Sequence, residues 1–226
     1  MDANWTAADE ALRQVNVIGN ERNEEVAVTC VPDSLSCIGI GTDAAVFTSA
    51  QAPGYAYKVY SDLAVGKKMV ERQVYELLHG IPYFPVYFGE GENYIVISHE
   101  RGITLTECLI EGIPVPERAI QDVEEARELV RSRGLNPRDI HLKNVLLQDG
   151  RAKVLDVSEY VQEGDDNRWA HLVWAYRTFY PSLEGRKIPA WILDMVRNGY
   201  MKLDQANINL DELGQRISRL LAKLTK

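Results

Sequence analysis

The chain has 226 residues, 46% of them hydrophobic and 26% charged, which is the composition of a globular protein long enough for two lobes around a cleft and not of a tail or fibre. Its formal charge of −8 speaks against broad binding to phosphate backbones, so no nucleic-acid partner is expected. The opening residues lack the basic start and apolar run of an export signal, and no run of about eighteen apolar residues occurs, so a cytoplasmic protein with no membrane partner is expected. Cys30, Cys37 and Cys108 show neither CxxC nor metal-ligand spacing, which fits free thiols in a reducing compartment.

In chain order, residues 26–31 and 56–60 read as short strands, with Gly39 and Gly41 breaking the chain between them. Residues 44–49 form the second strand of a ribbon whose turn is the glycine segment. Over residues 63–78 the recurrence of Val65, Met69, Val70, Val74 and Leu77 predicts an amphipathic helix, stopped by Gly80 and Pro82. Two more strands, 85–88 and 94–98, flank the turn at residues 89–93. The β-rich part thus ends near residue 100, giving a first lobe of residues 1–100 and a second of residues 101–226. The second opens with helices at 105–110 and 115–133, the longer starting with a proline in its first turn. Strands at 145–148 and 152–155 surround the Asp149-Gly150 hairpin turn, and from Arg168 the chain is mainly helical, closing with a helix over 210–224. Trp169, Trp174, Tyr176, Phe179 and Tyr180 form an aromatic stripe expected in the core.

The chemistry begins at Gly39, Ile40 and Gly41, where two glycines let backbone amides approach a phosphate, followed by the strand residue Val46. Taken alone, a two-glycine turn is most often just a turn. Seventeen residues after Gly41, Lys58 stands in mid-strand and needs an anionic partner. The following helix offers Glu71 and Glu76; helical spacing puts Glu71 beside the sheet-facing side and Glu76 towards solvent.

Asp139 with Asn144 five residues later, then Asp156 after Val154-Leu155, resembles the catalytic loop and metal-binding motif of the protein-kinase-like superfamily. With Gly39, Gly41, Lys58 and Glu71 in the same order, the resemblance spans residues 36–158 and is similar to compact bacterial serine/threonine kinase-like proteins. It implies an α+β, two-lobed fold with an antiparallel sheet and one main helix in the first lobe and a reduced helical second lobe. It also implies ATP and Mg²⁺ as cofactors. By resemblance Asp139 is the base or orienter of the acceptor, Asn144 and Asp156 hold magnesium, Lys58 contacts the α and β phosphates, and Glu71 positions Lys58. The linker Ser98-His99-Glu100-Arg101 would take the hinge position, with backbone groups after Ile97 meeting adenine.

The chain departs from the pattern where Pro137 replaces the usual histidine and Val157-Ser158 replaces phenylalanine-glycine. His141 stands where many protein kinases carry lysine; it is read as a loop histidine without a catalytic role. About ten residues separate Val157 from the helix at Arg168, leaving little room for a peptide platform. The expected function is therefore an ATP-dependent phosphotransferase, first a protein serine/threonine kinase, with a small-molecule kinase or a nucleotide-binding pseudokinase as alternatives.

Overall fold

The computed structural model describes residues 4–22, 24–164, 166–203 and 208–221. The chain divides into two compact units, Met1–Arg101 and Gly102–Lys226. Both are of α+β composition, with antiparallel sheets and seven α-helices among the described residues.

The first unit opens with a 3-10 turn, Trp5–Ala8, and the short helix α1, Asp9–Leu12. Strands β1, Asn16–Ile18, and β2, Ala27–Thr29, form a small antiparallel ribbon. The main sheet holds β3 (Leu35–Ile40), β4 (Ala44–Ser49), β5 (Tyr55–Tyr60), β6 (Tyr87–Glu90) and β7 (Tyr94–Ser98) in the order β3-β4-β5-β7-β6. Helix α2, Val65–Leu77, lies between β5 and β6 in sequence.

Alternation along the strands gives this sheet two buried faces. Ala45, Phe47, Tyr55, Tyr57, Val59, Tyr94 and Val96 pack with Ala8, Leu12, Val15 and Val17 in one cluster. The N-terminal segment is fastened there: Tyr57 donates its hydroxyl to the Trp5 carbonyl at 2.8 Å, and Tyr94 to Asp9 at 2.5 Å. Trp5 lies so close to Gly89 that a Cβ there would come within 2.6 Å of its ring and force the indole to shift. Ala56, Lys58 and Tyr60 take the opposite face, where α2 supplies Glu71.

Three expectations for this unit are corrected. The partner of β4 is β3 and not the segment at 26–31, so Gly39 and Ile40 are strand residues beside a register break, and the turn narrows to residues 41–43. The strand expected at 85–88 runs instead over Tyr87–Glu90. On α2 the apolar spacing marks the wrong side in part, because Val65, Met69 and Leu77 are exposed while Lys68, Glu71, Val74 and Tyr75 are buried. The reason is that the two buried charges have partners within the unit. Lys68 Nζ donates to the carbonyls of Gly91 at 2.8 Å and Glu92 at 3.1 Å, and Glu71 holds Lys58.

The second unit starts with β8, Ile103–Thr104, which pairs with β9, Val145–Gln148; β9 pairs in turn with β10, Arg151–Val154. The β9–β10 turn is tight because Asp149 and Gly150 both adopt positive φ, 51° and 77°. Helix α3, Leu105–Glu111, carries a reciprocal cap between Thr104 and Glu107 and ends on Gly112 at φ 71°. Helix α4, Glu117–Ser132, begins after Pro116, which caps the helix from outside instead of occupying its first turn. Asp122 of α4, fully buried, takes a two-pronged contact from Arg151 at 2.8 and 2.9 Å and the Ala152 N–H at 3.0 Å, which fastens α4 to β10.

Helices α5 (Arg168–Phe179), α6 (Ala190–Met201) and α7 (Leu210–Leu221) complete the unit. Within the aromatic stripe Trp169 and Tyr180 are buried, Tyr176 stacks on Tyr180 at 4.7 Å, and Trp174 meets Phe179 edge-on at 5.6 Å. The last residues expected in the closing helix, 222–224, lie outside the described residues. Cys30 and Cys37 are exposed and Cys108 is buried, all as free thiols. Among the described residues no helix is long and apolar enough to cross a membrane.

Candidate functional site

The candidate residues form two constellations, one in each unit. In the first, strand register aligns Gly39 with Val46, Val46 with Lys58 and Lys58 with Ile95, so that these four make one row across β3, β4, β5 and β7. A Cβ added at Gly39 would meet nothing nearer than 3.8 Å, so the backbone there is open to close approach. Ile40 is exposed, while the Gly41 N–H is already donated to the Ala44 carbonyl at 2.9 Å. Asp43, in the turn, is held by Lys67 of α2 at 2.7 Å.

Lys58 Nζ lies 2.7 Å from both carboxylate oxygens of Glu71, and Tyr60 donates its hydroxyl to Glu71 Oε2 at 2.7 Å. Glu71 is 1% exposed and the Lys58 side chain 15%, so this is a largely desolvated pair. Glu76 is exposed and pairs with Arg72 of its own helix at 3.3 Å. At the end of β7, Ser98 and His99 donate their N–H groups to the Val86 and Gly54 carbonyls, and Ser98 Oγ meets Glu100 at 2.5 Å. The main-chain donors of Ser98 and His99 are thus committed to residues just outside the ends of β6 and β5.

The second constellation is the loop 136–144 with its neighbours. The Asn144 side chain knits this loop, donating to the Asp139 carbonyl at 2.7 Å and accepting the His141 N–H at 2.9 Å, while the main-chain carbonyl of Asn144 accepts the Leu155 N–H at 2.8 Å. That last bond sets Asp156 one residue beyond Asn144's partner, and Asp156 Oδ1 accepts the Ser158 N–H at 3.0 Å. Asp139 holds φ at 54°, a conformation rare outside glycine that the loop bonds enforce. Burial foremost, together with the Asp156 and Asp166 carboxylates, raises the Asp139 pKa against the opposing charges of His141 and Arg168. Burial also lowers the pKa of His141.

Asn144 and Asp156 offer hard oxygen donors of the kind magnesium takes, one amide and one carboxylate. Among the described residues no three His, Cys, Asp or Glu side chains gather into a metal-binding group.

Sequence reasoning passed over Tyr60, Asp166 and Arg168. Tyr60 follows Lys58 by two residues, a strand spacing that signals a shared face. Arg168 Nη1 bonds directly to Asp139 Oδ1, and the Asp166 carboxylate accepts the N–H groups of both Asp139 and Arg168. Their separation from Asp139 in sequence left no local signal.

No protein-family model matches the chain. It is 33% identical over 173 residues to a Bacillus subtilis (strain 168) protein named "Putative serine/threonine-protein kinase YrzF", a match covering 75% of this chain and 80% of that one. The chain belongs to the family of that protein. Members of the YrzF family thus include a protein named for a kinase, and the fold described above is compatible with a kinase-like one.

Proposed function

We propose that this member of the YrzF family is an ATP-dependent phosphotransferase of two-lobed, protein-kinase-like design that passes the γ-phosphoryl group of Mg-ATP to a hydroxyl, in the first place of protein serine or threonine. The observation that carries this reading is the buried Lys58–Glu71 pair. Replacing such a pair by well-packed apolar residues is often neutral or stabilising, so stability alone is a weak reason to keep it. An ammonium held in place by a buried carboxylate is suited to phosphate oxygens.

In this reading Lys58 binds the α and β phosphates, Glu71 and Tyr60 orient Lys58, and the open backbone at Gly39 with Ile40, Gly41 and Val46 covers the nucleotide. Adenine meets the main chain near Ser98 and Glu100. Asn144 and Asp156 would hold magnesium, which supplies charge neutralisation on the phosphates. Asp139 orients the acceptor hydroxyl and takes its proton as the new bond to phosphorus forms and the bond to the ADP oxygen breaks. The name of the Bacillus relative supports a kinase and, within kinases, a serine/threonine acceptor.

One observation favours a small-molecule acceptor instead. The segment after Asp156 is bound to the loop that precedes Asp139: Asn136 Nδ2 donates to the carbonyls of Gln162 at 2.8 Å and Gly164 at 2.6 Å, and Arg138 donates to those of Glu163 and Gly164. A short segment so engaged offers little backbone to a peptide.

The test sets Asp139→Asn beside Asp156→Asn, measuring transfer of labelled phosphate and the thermal shift given by Mg-ATP. Asp139→Asn should lower transfer by about two or more powers of ten and keep the shift; Asp156→Asn should weaken both. Wild type that binds Mg-ATP yet transfers phosphate to no acceptor refutes the reading in favour of a pseudokinase.

A further inference from the structure

We propose that Arg168 is the positioning residue for the Asp139 carboxylate, an inference that rests on the phosphotransferase reading above. Helix α5 begins at Arg168, and its guanidinium bonds Asp139 Oδ1. Asp166 closes a circuit around that contact, accepting the Asp139 N–H at 2.7 Å on one oxygen and the Arg168 N–H at 3.1 Å on the other. The main chain of residue 139, its carboxylate and the start of α5 are therefore fixed to one another through three residues.

One backbone feature accords with a circuit that orients the carboxylate. Asp139 and Asn167 both hold left-handed φ, 54° and 53°, at two points of the same small ring, a conformation that aspartate and asparagine tolerate better than other side chains and that clusters at functional sites.

The imidazole beside the carboxylate cannot take this role. His141 Nε2 stands 4.0 Å from Asp139 Oδ1, beyond hydrogen-bond reach, whereas Arg168 is bonded to that same atom. With Oδ1 held, Oδ2 is the oxygen left to accept the hydroxyl proton. A planar guanidinium suits such a task, since its donors lie in a rigid fork where an ammonium on a flexible stem would not fix an angle.

The experiment measures kcat and KM for ATP, with labelled phosphate passing from Mg-ATP to the chain itself and to casein, in wild type, Arg168→Gln, Arg168→Lys and the control Arg177→Gln. Arg177 is exposed in the last turn of the same helix and takes no part in the circuit. Misplacing a catalytic group by a fraction of an ångström to an ångström costs up to about 100-fold, so Arg168→Gln should lose about 10- to 100-fold in kcat. Its KM for ATP and its Mg-ATP thermal shift should stay at wild-type values. Arg168→Lys should recover part of the loss, and Arg177→Gln should behave as wild type.

An active wild type beside Arg168→Gln of equal or higher kcat overturns the inference while leaving the phosphotransferase reading intact, a higher value marking the contact as an inhibitory latch. Loss of the Mg-ATP shift in both Arg168 variants also overturns it, by showing a general structural role. A wild type that transfers nothing refutes the phosphotransferase reading, and this inference falls with it.

Discussion

Lys58→Met tests the buried pair through stability alone, with no nucleotide present. Methionine keeps most of the lysine stem but removes the cation from a carboxylate that is 1% exposed. Breaking a buried pair by removing one partner costs about 3–5 kcal/mol, because the remaining charge has lost both water and counter-charge. The Tyr60 hydroxyl still donates to Glu71 in the variant, so the lower end applies, about 3 kcal/mol. In a chain of this size each kcal/mol moves Tm by roughly 2–4 °C, which gives a fall of about 6–12 °C. The stranded carboxylate is the source of the loss, so Lys58→Met/Glu71→Gln should melt above Lys58→Met. That reversal is the signature of a coupled pair, since independent sites would add. Thermal melts by circular dichroism, backed by urea midpoints at constant m, measure both. A Lys58→Met melt within about 2 °C of wild type, or a double variant no better than the single, would refute the reasoning.

Asp122 is held below the usual carboxylate pKa: burial would raise it, but the hydrogen bonds from Arg151 and the Ala152 N–H, with the charges of Arg151 and Arg118, outweigh that. A depressed folded pKa contributes stability that is present above the unfolded value, about 3.9, and is lost as pH falls through the folded one. Asp122→Asn should therefore cost about 1.5–3 kcal/mol at pH 7 by urea denaturation, and the gap to wild type should narrow below about pH 4. Gly112 and Gly134 both adopt left-handed φ, 71° and 74°, but a Cβ at Gly112 would come 2.9 Å from the Gly185 carbonyl oxygen while one at Gly134 meets nothing within 4 Å. Gly134→Ala should thus cost only about 1 kcal/mol and Gly112→Ala clearly more, as ordered by their urea midpoints.

What the sequence discloses follows from how local each signal is. Strands β4, β7 and β9 carry β-branched or aromatic runs between turn residues, and their ends are legible to the residue. Strands β1 and β8, of three and two residues, are too short to show a period and exist through their partners. The contact of Lys58 with Glu71 is legible because strand and helix periodicity each place a charge where only the other can meet it. The buried side of α2 is half hidden for the same reason: apolar spacing does not see Lys68 and Glu71, which sink because they are paired. Arg168 is invisible from sequence because a guanidinium at a helix start has no preferred partner until the chain folds back onto Asp139.

The N-terminal closure of the first sheet has an optical consequence. Of the four tryptophans, Trp169, Trp174 and Trp191 belong to the second unit and Trp5 alone to the first, where it rests on the glycine backbone of β6. Replacing the other three by phenylalanine leaves a chain whose indole emission reports only on the first sheet. Loss of the segment that closes that sheet then becomes a red shift of one fluorophore, read apart from the melting of the helical unit.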